Sequence, residues 1–506
     1  MLARIASLPL IVILMGIGAL AMYVPTGHAI ALGEWATARA YFYSGSLFLA
    51  LTAMIGITTA RHVITRQARS HLMALLAAFA ALPLMLAFPF YSSVGDTSYL
   101  NAYFEMVSSL TTTGATIFDE PARLTGPDHL WRALVGWMGG FLVWVTAIAI
   151  LAPLNLGGYE VLTPSRQSGA ASGISQIVHI ADPSMRLQRY AADLLPIYLG
   201  LTLALWIALL SLGDPPLVAI SHAMSTLATS GISPVNGLQD VQSGLFGEAV
   251  IFLFLGFALS RQTFASEASD RGRAKLLHDP EIQLGLFCVV AVPSLLFLRH
   301  WIGAYEVDSP RSFMAALNAL WGGVFTVMSF LTTTGFESAG WVSSRAWSGL
   351  DTPGLILLGL ALIGGGVATT AGGVKLLRVY ALYKHGRREL ERLVHPSSVG
   401  GSGASARQMR RHGAYIAWIF FMLFAISIAA VMLALSLTGL AFEPSVVLTI
   451  AALSTTGPLA QVAGETAISY AALTDAAKLI LAASMVLGRL ETLAIIALLN
   501  PEFWRS

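Results

Sequence analysis

Charge is scarce in this chain. Only 11% of its 506 residues are Asp, Glu, Lys or Arg, and 56% are hydrophobic. Soluble domains carry about 25% charged residues, so an ordinary soluble globular protein is excluded. Cysteine is nearly missing: Cys288 stands alone, which rules out an intramolecular disulfide. There is no paired metal-ligand spacing, no nucleophile elbow and no phosphate-cradling glycine loop. These gaps argue against an enzyme and against nucleotide binding by the chain itself. No relay of Asp, Glu and His runs through the apolar segments, which weakens proton coupling as a reading. The formal net charge of +2 is scattered over the flanks of apolar runs and points to no nucleic-acid partner.

Long apolar runs are abundant. Ten read as membrane spans, near 8–24, 43–60, 72–90, 130–152, 191–212, 246–264, 283–301, 353–380, 413–438 and 476–498. The first is read as a retained helix, because Tyr23-Val24-Pro25 is a poor small-residue cleavage site. Four shorter segments, near 98–110, 217–227, 313–331 and 444–453, read as re-entrant; the third is long, and its C-terminal half is the expected pore helix. The expected fold is an all-α polytopic membrane protein of four helix–pore-helix–helix repeats with pseudo-four-fold symmetry, plus two extra N-terminal helices. The expected units are 1–70 (two-helix unit), 71–160, 161–272, 273–395 and 396–506 (pore repeats). Six segments on one side of this topology hold 21 of the 29 Lys and Arg, which places both termini in the cytoplasm. Of these, 261–282 and 373–412 hold 13 and either dock a soluble partner or only set topology. The Gly/Ser-rich stretch 397–407 reads as a flexible linker.

Each re-entrant segment stops at one short phrase: TTTGA (111–115), ATSGI (228–232), TTTGF (332–336) and STTGP (454–458). The glycines Gly114, Gly231, Gly335 and Gly457 are 117, 104 and 122 residues apart, a spacing that marks internal duplication. A hard cation stripped of water needs oxygen ligands, and carbonyls on an extended loop supply them. Glycine allows the positive φ that turns successive carbonyls to one axis. The hydroxyls of Thr112, Thr113, Thr229, Ser230, Thr333, Thr334, Thr455 and Thr456 buttress such a loop or add ligand oxygens. Each pore helix also aims its negative C-terminal end at the same place. A lone phrase of this kind is explained by a helix C-cap; four at one spacing read as a cation filter.

The segment 364–373, GGGVATTAGG, carries Gly364, Gly365, Gly366, Gly372 and Gly373 around Thr369 and Thr370. At about 1 kcal/mol lost per glycine, helix is disfavoured there. The segment is expected to unwind near mid-membrane as a gate below the filter, held by little packing; the alternative is small-residue helix packing. Arg489, inside the last apolar run, is expected either to face the pore or gate loop, or to pair with an acid such as Glu105. Lys478 and His222 read as structural.

Taken together, FEMVSSLTTTGAT (104–116), GWMGG (136–140), SFLTTTGFES (329–338), GGGVATTAGGVKLLR (364–378), RELERLVHP (388–396) and LGRLETL (487–493) give the chain a resemblance. It resembles the TrkH subunit of bacterial K⁺ uptake systems, in the Trk/Ktr/HKT superfamily. The resemblance covers nearly the whole chain. It implies a K⁺-selective channel or transporter of the inner membrane, with K⁺ as cargo and Na⁺ or Rb⁺ as further permeant ions. It implies that the four glycines are filter glycines, that 364–373 is an intramembrane gating loop, and that Arg489 is a pore arginine. It also implies a homodimer embedded in lipid and regulated by a TrkA-like cytosolic ring of RCK domains. NAD(H) or ATP/ADP would then bind only on that partner. The chain departs from the pattern in Ala228-Thr229-Ser230, in the single glycine of FLFLGFALS and in Pro458 after Gly457. A Na⁺-permeable or cation-coupled symporter stays open as the alternative, as does the K⁺-binding subunit of an ATP-driven pump.

Overall fold

The computed structural model describes residues 8–59, 67–152, 158, 183–260, 279–303, 313–348, 354–395, 411–464 and 466–490. Regular structure among these residues is helical throughout. Seven helices are long and apolar enough to cross a membrane: Leu10–Leu32, Trp35–Thr59, Met73–Val94, Gly126–Leu151, Arg186–Ser211, Pro280–Arg299 and Gly413–Ser436.

Shorter helices fill the other three expected places. The sixth covers Gly244–Ala258 and tightens to a 3₁₀ turn at Gly256–Ala258. The eighth, placed over 353–380, breaks at the glycine run as expected: Gly354–Ile363 ends there and Leu376–Val394 starts a new helix. The last is described over Asp475–Leu490. The N-terminal pair also differs from expectation. Its second helix starts at Trp35 rather than near 43, because Gly33, at φ +77°, reverses the chain in a left-handed cap. The linker 397–407 and the segment 261–278 lie outside the described residues.

Four pore helices complete the repeats: Tyr99–Leu110, Pro216–Ala228, Phe313–Leu331 and Phe442–Leu453. The third is one unbroken helix rather than a C-terminal half. Each lies, in sequence, between the two flanking helices of its repeat. Apolar contacts alone do not drive helices together in lipid, so close packing and hydrogen bonds must. The Tyr41 hydroxyl of the N-terminal unit donates to Asp128 Oδ1 at 2.9 Å, and the Trp131 indole donates to the Leu86 carbonyl at 3.2 Å. Gly139 lies against the Leu110 carbonyl and Gly488 against the Leu453 carbonyl, where any side chain would collide. These contacts let long helices press on the ends of the first and fourth pore helices.

Candidate functional site

All four pore helices end in the same way. The second residue of each phrase takes a left-handed backbone: Thr112 (φ 54°), Thr229 (φ 50°), Thr333 (φ 58°) and Thr455 (φ 55°). The amide of each donates three residues back, to Ser109, Thr226, Phe330 and Ala452. The following amide donates five residues back, to Ser108, Ser225, Ser329 and Ala451, at 2.8–2.9 Å. This is the Schellman pattern, which satisfies the last helical carbonyls. The C-cap reading is therefore correct for each phrase taken singly. A β-branched residue in that conformation is strained and persists only where its surroundings over-determine it. Hydroxyl pairs help: Thr111 with Thr113 at 2.8 Å, Thr332 with Thr334 at 3.2 Å and Ser454 with Thr456 at 3.3 Å.

The four caps meet. A side chain on Gly114 would strike the Ser230 carbonyl, one on Gly231 the Thr334 carbonyl, one on Gly335 the ring of Pro458, and one on Gly457 the Ala115 amide. Each loop thus touches the next in chain order, and the fourth returns to the first. The Gly457 amide donates to the Thr113 carbonyl at 2.6 Å and closes the ring. Gly114, Gly231 and Gly335 have φ of 72°, 65° and 85°. Gly457 does not share the expected positive φ, because Pro458 opens a short helix, Leu459–Val462, straight after it. On one side of the ring opens a cavity of about 500 Å³, lined by all four glycines and by Asp119, Arg132, Glu337 and Tyr470.

On the other side lies the glycine run. Residues 364–375 are non-helical and buried. Gly372 donates its amide to Thr333 Oγ1 at 2.7 Å, and the Thr370 hydroxyl donates to the Leu227 carbonyl at 3.1 Å. The expectation of slack packing is overturned. The Val367 amide donates to Glu281 Oε1 at 2.7 Å, Gly366 N donates to the Ala258 carbonyl at 2.9 Å, and Val374 N and Leu376 N donate to the Leu362 and Gly365 carbonyls, each at 2.9 Å. Lys375 leaves the loop at φ 84°, a strained angle for a side-chain-bearing residue.

Arg489 bridges the ring and this loop. Its Nε donates to the Thr111 carbonyl and its NH1 to the Thr370 carbonyl, both at 2.7 Å. Pairing with Glu105 is not found. Glu105 instead binds Arg132, Oε1 to Nε at 2.6 Å. Lys478 donates to Asn101 Oδ1 at 2.9 Å, and His222 Nε2 lies 2.8 Å from Ser233 Oγ, while its Nδ1 is buried without a hydrogen-bond partner among the described residues. The sequence reading missed Glu248 and Glu281. Glu248 accepts from the Ser338 hydroxyl and the Ala339 amide at 2.7 Å each. An acid inside the apolar run GLFGEAVIFLFL was the available signal.

The fold and this convergence define a multi-pass helical membrane protein built on four pore-loop repeats. The profile of the TrkH cation transport protein family matches residues 283–505. A relative titled Trk system potassium uptake protein TrkH, from Vibrio parahaemolyticus serotype O3:K6, is 33% identical over 426 residues, covering 81% of each chain. A protein of the same title from Escherichia coli K12 is 30% identical over 429 residues, 83% of each chain. The crystal structure of the potassium transporter TrkH from Vibrio parahaemolyticus superposes with a TM-score of 0.80 at 28% identity, over all of both chains. The chain belongs to the TrkH family.

Proposed function

We propose that this chain takes up K⁺ across the bacterial inner membrane, with both termini cytoplasmic, through a filter formed at Gly114, Gly231, Gly335 and Gly457. The single observation behind this reading is the closed ring of four pore-helix caps. Hydroxyl-buttressed carbonyls around one axis match a dehydrated monovalent cation, and relatives titled as potassium uptake proteins support K⁺ as the ion. The segment Gly364–Gly373, pressed on the far side of the ring and tied to it by Arg489, serves as the gate. The pore repeats are 71–160, 161–272, 273–395 and 396–506. The working unit is a homodimer on a TrkA-like cytosolic ring of RCK domains, and NAD(H) or ATP/ADP acts on that ring. The chain itself performs no covalent chemistry.

The fourth loop supports a second reading, a filter that also passes Na⁺, since Gly457 lacks the conformation of its three counterparts. The test is Rb⁺ uptake by reconstituted protein with K⁺ and Na⁺ as competitors, with and without the ring protein. K⁺ competing far better than Na⁺ fits the first reading, and equal competition fits the second.

A further inference from the structure

Nine residues before each central glycine stand Glu105, His222, Thr326 and Leu448. All four are fully buried within pore helices. In three repeats this residue reaches the strand that leaves the glycine. Glu105 Oε2 accepts from the Ile117 amide at 3.2 Å, His222 Nε2 meets Ser233 Oγ at 2.8 Å, and Thr326 Oγ1 accepts from the Ser338 amide at 3.3 Å. Ile117 and Ser338 lie three residues past their glycines and Ser233 two. Leu448 has no polar atom to offer. The fourth strand coils into Leu459–Val462 instead, and the Tyr470 hydroxyl donates to the Gly457 carbonyl at 3.0 Å.

These strands have no regular ladder, so nothing periodic fixes their height along the axis. Their buried amides need partners. Glu105, His222 and the third strand itself are in turn braced from elsewhere. Arg132 holds Glu105 at 2.6 Å, Glu248 of the second repeat grips Ser338 and Ala339 of the third, and the His222 ring packs edge-on to Phe336 at 5.4 Å.

We propose that Glu105, His222 and Thr326 are positioning residues for cation discrimination. They hold the strand beyond Gly114, Gly231 and Gly335, and so prevent the carbonyl ring from closing around a smaller ion. The proposal rests on the filter reading above. In that reading, preference between cations follows from the number, field and freedom of the surrounding oxygens. The fourth strand, held by its own helix, needs no such anchor.

The experiment compares Thr326→Val, Thr326→Ser, His222→Leu and Gly335→Ala in reconstituted Rb⁺ uptake with Na⁺ as competitor. Valine keeps the shape of threonine but leaves the Ser338 amide unpaired, so Na⁺ should compete about tenfold better. Serine keeps the acceptor and should compete as the parent does. His222→Leu should move the same way as Thr326→Val and serves if that variant does not fold. Unchanged Na⁺ competition in Thr326→Val and His222→Leu, beside a shifted Gly335→Ala, overturns the anchors and leaves the filter standing. Unchanged competition in all variants overturns both. Equal shifts in Thr326→Val and Thr326→Ser also overturn the proposal, since packing alone would then explain them.

Discussion

At the scale of the residue, the four central glycines are not equivalent. Gly335 combines φ 85° with direct contact on Pro458, at 2.8 Å for an added Cβ. An alanine there meets both a left-handed penalty of about 1–2 kcal/mol and a collision. Gly335→Ala should therefore cut Rb⁺ uptake by about tenfold or more, and wild-type uptake would remove Gly335 from the conducting path. Glu337 makes a second case. It lines the 500 Å³ cavity beside the ring, and burial raises its carboxyl pKa while the Arg345 charge opposes that rise. A raised pKa means the carboxylate is lost, on acidification, at a pH above the ordinary glutamate range. Uptake at limiting K⁺ should fall on mild acidification of that side, and Glu337→Gln should flatten the profile. An unaltered profile in that variant would show that another group titrates. The positive φ of Gly114, Gly231 and Gly335 was legible in the sequence because glycine is chosen for its backbone, while the different conformation of Gly457 was not. That Arg489 could face the 364–373 loop was legible too, but its bond to the Thr111 carbonyl, 378 residues away, was not.

At the scale of the element, the break at 364–373 was visible as a glycine count that no helix tolerates. Its tight packing was not, because Glu281 and Ala258, which hold it, carry no motif. Nor were the left-handed threonines, whose conformation runs against their own preference. On the proposed reading of this segment as the gate, removing the bonds that hold it should open the path. Glu281→Gln weakens a charge-assisted bond to the Val367 amide and should raise partner-free flux several-fold, since such bonds contribute about 1.5–3 kcal/mol. Arg489→Ala should act in the same direction. It removes both the tether to Thr370 and a positive charge near the cation path. The two changes act on one segment, so their effects should be less than additive. Basal flux at or below the parent level in both, with intact protein, would place the gate elsewhere.

At the scale of the whole molecule, the helix Leu376–Val394 runs directly on from the glycine segment and ends in an exposed basic stretch. Arg387 and Arg392 pair with Glu391 and Glu389 at 2.9 and 2.8 Å on its surface. Exposed pairs of this kind contribute little to stability, so the arginines are free to serve recognition. Charge reversal at Arg387, Arg388 and Arg392 should weaken co-purification with the cytosolic ring protein while leaving partner-free flux unchanged. Undiminished capture at low and high salt would move the docking surface off this helix. The all-helical repeat plan was readable from the spacing of four short phrases. The chain-order contacts between them were not, because neighbours in the ring belong to different repeats.

The ring closes where the Gly457 amide meets the Thr113 carbonyl, so it cannot close before the last repeat is in place. Three loops can meet as soon as each has entered the membrane, but the circle stays open until the fourth arrives. Without the fourth loop the Thr113 carbonyl lacks its partner in the ring, and unpaired carbonyls away from water are costly. A chain stopped before Phe442 is therefore not three quarters of a working pore. It is an arc whose first loop lacks the neighbour that closes it.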